Sequence, residues 1–168
     1  MTGDSHETLS ADLPDEARGL SGRLDPATGV HRLWLRIYYE DTDAAGIVYH
    51  AGYLRYAERA RTEMLRLLGI GQGVLRDQHG IGFAVRHAEL DFRAPARLDD
   101  LLEVRSYCRS FSRVQFHVSQ HILDAVDRRE LVRIGVRVAC VDAATRPARL
   151  PRAVAETLSP LIHPREQD

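Results

Sequence analysis

GYLRYAERARTEMLRLL, residues 52–68, carries the period that decides the fold. Tyr53, Ala57, Ala60, Met64 and the Leu67/Leu68 pair recur at helical spacing and form one continuous apolar stripe. Arg55, Arg59, Glu63 and Arg66 fall off the stripe. Arg59 and Glu63 stand four apart, a pairing worth about 0.2–0.5 kcal/mol on an exposed helix. Gly69 follows as the residue that ends the helix in a left-handed turn. A helix with one greasy stripe needs a surface to lie against, and the flanking sequence supplies it.

Upstream, order is expected to begin near Val30. His31–Tyr39 alternates, with Leu33, Leu35 and Ile37 on one side and Arg32 and Arg36 on the other, which is strand period. A polar turn at Glu40–Asp43 and a short apolar run, Ile47–Tyr49, lead into the helix. Downstream, a less regular piece at Gln72–His79 precedes four strand candidates. These are Phe83–Arg93, closed by Pro95, then Leu101–Cys108, Arg113–Leu123 and Leu131–Val141. Asp124–Arg129 is a turn between the last two. Pro151–Leu158 reads as a short helix with proline at its first position. One helix followed by a run of strands predicts α+β, with an antiparallel sheet of about five strands wrapped around the long helix.

The 168 residues fit one domain. With 23 Lys+Arg against 24 Asp+Glu the net charge is -1, without the basic surplus of a general nucleic-acid binder. There is no polybasic patch for anionic lipid and no apolar run of the ~18 residues that a membrane span needs. Cys108 and Cys140 are too few for a disulfide framework and read as small core residues, free thiols of a cytoplasmic protein. Residues 1–30 carry Asp4, Glu7, Asp12, Asp15, Glu16 and Asp25 against Arg18 and Arg23, which is the wrong order for a secretory leader. The expected organisation is a disordered acidic extension over 1–30, with a weak helix near Asp15–Arg18, a domain over 31–160 and a tail over 161–168.

The densest chemistry lies in YYEDTDAAGIVYHAGY, residues 38–53, at the join of strand and helix. A helix N-terminus offers unpaired amides and a positive dipole end that can hold an oxyanion. A neighbouring aspartate supplies a general base or a nucleophile. Together they are the minimum kit for cleaving an acyl ester or thioester. The same residues also have a plain use as turn and cap chemistry.

The run from Arg36 to Tyr53 resembles the signature of the 4-hydroxybenzoyl-CoA thioesterase family. It is closest to the bacterial branch of acyl-CoA thioesterases associated with the Tol–Pal envelope system. The likeness continues through Tyr56–Leu65, at Ala94–Asp100, and at Cys140–Asp142 and Arg146–Pro151, so that it spans about residues 31–155. The resemblance implies a hotdog fold and acyl-CoA thioester hydrolysis without cofactor or metal. It implies subunits paired edge to edge as a homodimer or homotetramer, with acyl carrier protein as an alternative thiol carrier. The family's catalytic aspartate falls on Asp43, its motif histidine on His50, and a further site position on Tyr39. Asp43 would attack the carbonyl or activate water; His50 would polarise the carbonyl or protonate the thiolate.

Glu58 and Glu63 on the helix read mainly as solvated or ion-paired, and Asp41 as a structural turn residue. His117 and His121 lack the converging ligands that zinc requires. Arg86, Arg93, Arg97 and Arg113 are candidates for a CoA phosphate contact, each more simply a solvated arginine. No G-x-S-x-G elbow and no phosphate loop is present. Two alternatives stay open: an enoyl-thioester hydratase, whose aspartate and histidine sit closer together than Asp43 and His50, and a non-catalytic acyl-thioester-binding module.

Overall fold

The computed structural model describes residues 19–162. The strands are β1 (Arg23–Leu24), β2 (His31–Arg36), β3 (Ile81–Phe92), β4 (Leu101–Phe111), β5 (Gln115–Asp124) and β6 (Glu130–Asp142); the helices are α1 (Gly52–Leu67), α2 (Gln72–His79) and α3 (Arg152–Leu158). The strands form one antiparallel sheet in the order β1-β2-β4-β5-β6-β3. The α+β hotdog expectation is met: the sheet wraps α1, and one core joins them. Leu33, Leu35 and Ile37 from β2 and its end meet Tyr53, Ala57 and Ala60 of α1, with Val104, Ile122 and Ile134 beneath. Period-2 strands put every second residue on that inner face, so β6 buries Val132, Ile134, Val136, Val138 and Cys140 while Gly135 and Arg137 face outward.

Several expectations need correction. The sheet has five long strands and a sixth of two residues. That sixth, β1, lies inside the segment read as an extension. Residues 1–18, including the helix expected near Asp15–Arg18, lie outside the described residues, but residues 19–30 belong to the fold. Their Asp and Gly content is turn chemistry: the Asp25 carboxylate accepts the Ala27 amide at 2.9 Å and the Asp25 amide donates to Val30 O at 3.0 Å. β2 stops at Arg36, because Asp41 caps a 3-10 turn over Tyr39–Asp41 by accepting the Tyr38 amide at 2.9 Å. Gln72–His79 is a regular helix, ended by Gly80 at φ 63°. Gly69 takes φ 74°, as expected of a helix stop.

On α1 the stripe turns slightly. Leu65 is buried and Leu67 exposed, because α2 and α3 cover the Leu65 side. Glu63 pairs with Arg66 and accepts the Ser21 hydroxyl, so the Arg59–Glu63 pair does not form. Cys108 and Cys140 are free and buried, and burial raises both thiol pKa values, Cys108 to about 11. Of the expected tail, Ile162 bridges to Cys108; residues 163–168 lie outside the described residues. No helix among the described residues is long and apolar enough to cross a membrane.

The β1 segment makes two predictions. Gly22 sits at φ 76°, where an added Cβ would meet the Arg32 carbonyl oxygen at 2.1 Å. Gly22→Ala is expected to cost about 1–3 kcal/mol in urea unfolding. Behind it, His31 is fully buried and its Nε2 bonds Ser21 O at 2.8 Å. Burial lowers its pKa below the ordinary 6.5. The folded chain thus binds this proton less readily than the unfolded one. The associated stability is complete above about pH 6.5 and is lost progressively below it. His31→Gln should flatten that acid limb in a series of melts.

Candidate active site

Three short backbone segments lie side by side at the start of α1. Thr42 bridges Val48, and Ile47 bridges Arg97. Gly46 makes the reversal possible: at φ 72° its amide returns to the Asp43 carbonyl at 2.9 Å, and the Asp43 amide donates to Ile47 O at 2.9 Å. Val48 donates to Ala96 O at 2.9 Å. The Ala96 amide donates to the Tyr53 hydroxyl at 2.9 Å, buried in the first turn of α1. Burial pushes the Tyr53 phenol pKa up, which keeps it protonated.

Asp41 is the second fastener. Its carboxylate caps the Tyr39 turn, its carbonyl takes the Tyr49 amide at 3.0 Å, and Arg55 stands 3.7 Å from it. Tyr56 packs beside it; burial first, and then the Asp41 charge, hold that phenol well above its usual range. The structural reading of Asp41 therefore holds.

These fasteners frame a cleft of about 400 Å³. Asp43 and His50 both line it, together with Ile47, Tyr53, Phe92 and Arg93. The Asp43 Oδ1 accepts the Ala45 amide at 2.8 Å, while Oδ2 has no partner among the described residues. The His50 ring leans on Tyr49, with ring centroids 4.2 Å apart. At Ala51, the residue before α1, no side chain caps the helix. The Gly52 amide folds back to Tyr49 O at 2.7 Å, whereas the His50 and Ala51 amides bond no acceptor of the described residues. A half-free carboxylate and His50, whose amide is unbonded, thus share a single opening, and an aromatic pair stands in its wall: Tyr53 and Phe92 meet edge to face at 5.9 Å. This arrangement suits attack on an acyl carbon with the oxyanion held by amides.

Tyr39 does not join the group. It is 82% exposed in its 3-10 turn and lies outside the cleft lining. Arg93 is in the wall but is held by Asp91 and Glu130. Tyr53 and Phe92 were missed as site residues. Tyr53 read as one more stripe residue, although a buried tyrosine hydroxyl always needs a partner, which was the available signal. A larger groove of about 560 Å³ runs along the outer face of the sheet past His87, His117, His121 and Arg137, remote from Asp43. It is lined chiefly by arginines and histidines, with Glu89 as its one carboxylate, and neither Asp43 nor the start of α1 borders it. No group of three or more His, Cys, Asp or Glu residues placed to hold a metal occurs among the described residues.

Tyr53→Phe removes the acceptor of the buried Ala96 amide. It is expected to cost about 1–3 kcal/mol by denaturant unfolding, and to lower activity further by loosening the strip beside Asp43.

The chain has relatives among known proteins. Residues 38–158 match the thioesterase-like superfamily. The acyl-CoA thioester hydrolase YbgC of Escherichia coli O6:H1 is 41% identical over 128 residues, covering 76% of this chain and 94% of that protein. The acyl-CoA thioesterase YbgC of Haemophilus influenzae is 39% identical over 121 residues, covering 71% and 88%. Among solved structures, a probable thioesterase from Bartonella henselae superposes with a TM-score of 0.68 at 35% identity, covering 73% of this chain and 99% of the other. Slr0204, a 1,4-dihydroxy-2-naphthoyl-CoA thioesterase from Synechocystis, superposes with a TM-score of 0.74 at 26% identity, covering 81% and 100%.

Proposed function

The chain belongs to the thioesterase-like superfamily and hydrolyses acyl-CoA thioesters, and on that premise we propose that Asp43 and the uncapped start of α1 carry the reaction. The observation that supports this reading most is the shared cleft: Asp43, whose Oδ2 is unpartnered, and His50, whose amide is unbonded, border one opening, and the unbonded Ala51 amide is the next in the chain. The thioester carbonyl oxygen lies against those amides. As a base, Asp43 takes a proton from water while the water oxygen bonds the acyl carbon. The C–S bond then breaks, and the thiolate leaves with a proton. As a nucleophile, Asp43 instead bonds the acyl carbon, expels the thiolate, and yields an anhydride that water opens. His50, which lines the same cleft, is assigned to polarise the carbonyl or to protonate the leaving sulfur. A CoA thiolate leaves readily, so His50 is assigned the smaller effect.

A second part of the proposal concerns assembly. β3 pairs with β6 on one side, and its other edge has no strand beside it among the described residues. Val85 and Phe92 on it are 49% and 51% exposed. A long open edge invites another strand, and a second copy of this chain is the natural occupant. The reading is a homodimer or homotetramer in the cytoplasm, acting on acyl groups carried by CoA or by acyl carrier protein.

Asp43→Asn should lower thiol release from acyl-CoA by about 100- to 10,000-fold with unchanged melting. A folded variant of undiminished rate would remove Asp43 from the mechanism. Single turnover in oxygen-18 water identifies the anhydride route where water opens it at the aspartyl carbon, which leaves label in the Asp43 carboxylate; opening at the acyl carbon labels only the product acid, and trapping the acylated Asp43 for mass measurement detects that case. Sedimentation velocity tests assembly: a monomer at working concentration would refute the pairing.

A further inference from the structure

The groove of about 560 Å³ on the outer face of the sheet takes no part in the reaction at Asp43. Register builds it. Tyr107, Ser119, Gly135 and Glu89 stand opposite one another on β4, β5, β6 and β3, in one row across the strands. Ser119 and Gly135 are the floor, because their side chains are the smallest in the lining. One wall is the next outward row, His121 and Arg133; the other is His117, Arg137 and His87. His121 and Arg133 are ion-paired to Glu130. Arg109 lies over the Tyr107 ring, 4.9 Å from its centroid, and neither it nor Arg137 has a carboxylate partner among the described residues. Gly135 has no internal reason to be glycine. It sits in mid-strand with no register shift beside it and no positive φ, and an added Cβ would meet nothing within 4 Å. A glycine inside a strand gives up packing, and it often marks the place where another backbone approaches closely.

The complementary charge is in the same chain. Residues 1–18 carry Asp4, Glu7, Asp12, Asp15 and Glu16 against Arg18. The described chain begins at Gly19, which borders a cleft with Trp34, and Trp34 faces outward from β2 on the same side as the groove. Trp34 aligns with Glu103 on β4, and Ser119 aligns with Tyr107, four residues further along that strand. Two strand spacings of ~4.8 Å and four residues of ~3.4 Å separate Trp34 from Ser119, about 17 Å in all. The chain from Gly19 back to Asp12 reaches about 23 Å when extended, so Asp12 and everything before it can arrive at the groove. A tether raises the local concentration of such a segment to roughly millimolar, at which weak surface ion pairs suffice. A second copy laid face to face would set arginine rows against each other instead.

We propose that residues 4–12 of the same chain lie across the sheet in this groove, with their backbone over Gly135 and the carboxylates of Asp4, Glu7 and Asp12 against Arg109, His117 and Arg137. The outer face of the sheet is thus a docking surface for the chain's own acidic segment, independent of the chemistry at Asp43.

The test is paramagnetic broadening of amide signals in the full chain, with a nitroxide on Thr2→Cys. The native thiols of Cys108 and Cys140 are 2% and 0% exposed and stay unlabelled. At low salt the signals of Ser119 and Gly135 should be lost, and that of Gly80, at the end of α2, kept. Both should return in about 1 M salt, where the screening length falls to about 3 Å. They should return equally in the segment variant Asp4→Asn/Glu7→Gln/Asp12→Asn. Gly135→Val should restore the Ser119 signal and melt no lower than the native chain, since valine suits a strand and its Cβ has open space there. Equal broadening at Gly80 and Gly135, or broadening that survives the segment variant, overturns the proposal. Broadening passed only from a nitroxide copy to an isotope-labelled copy in a mixed sample overturns it too, and makes a second copy the occupant. A groove whose signals move only on adding polyglutamate overturns it in favour of an outside acidic protein. If Gly135→Val does not fold, the segment variant decides, since it leaves residues 19–162 unchanged.

Discussion

The Ala96 peptide is the constraint on which the site depends. Its amide is held by the Tyr53 hydroxyl and its carbonyl by the Val48 amide. The backbone of one residue, through the peptide planes on its two sides, therefore ties the first turn of α1 to the strip that leads into it, and ties both to the segment that follows β3. Ala96 is wholly buried, so neither bond is exchanged with water. Without them, the loop bearing Asp43 would be connected to the helix only through the chain itself. An Asp–Thr–Asp–Ala–Ala–Gly sequence has little intrinsic reason to hold one shape. The helix start is useful for chemistry because it lacks a side-chain cap, and it can remain uncapped because Tyr53 and Asp41 fasten the neighbouring backbone.

The same division of labour recurs deeper in the molecule. An all-apolar helix–sheet contact would satisfy the hydrophobic pattern alone. Here Arg61, Gln120 and Ser106 thread a polar line through it, and each member is hydrogen-bonded. Such a line is weak evidence for stability, since well-packed hydrophobic residues often do as well. Its consequence is a fixed rotation of α1 about its axis. A helix turned so that Arg61 reaches Gln120 also turns Tyr53 toward Ala96, and with it the amides that face Asp43. The register of the core and the register of the site are one variable.

The parts of this architecture that were legible in sequence are those written as period. Alternation gave the long strands, and the i, i+4 stripe gave α1 and its stop at Gly69. The compact Asp43–His50 motif pointed to a site because its spacing is local: the carboxylate and the helix start are joined by a short loop. What was not legible depends on tertiary partners. Phe92 belongs to the cleft because the end of β3 meets the first turn of α1 at Tyr53, and nothing within Phe83–Arg93 announces that. Residues 19–30 looked like an extension because a two-residue strand has no period to detect; only its partner β2 reveals it. Tyr39 illustrates the reverse case. Being close in sequence to Asp43 did not bring it to the cleft, because the Asp41-capped turn rotates it outward.

Arg61 shows why pattern reading reaches a limit at charged residues on an apolar stripe. Its position, one turn beyond Ala57, is a core position by geometry, and its side chain is a surface one by composition. The conflict is resolved by partners on two other elements: Glu58 one turn back and Gln120 in the middle of β5. Local and global preferences disagree at this point and agree over the rest of α1. Disagreements of this kind tend to be retained where a fold is adapted to a ligand. On α1 the conflict is settled by hydrogen bonds, so one helix face both fills the core and fixes the rotation of the helix.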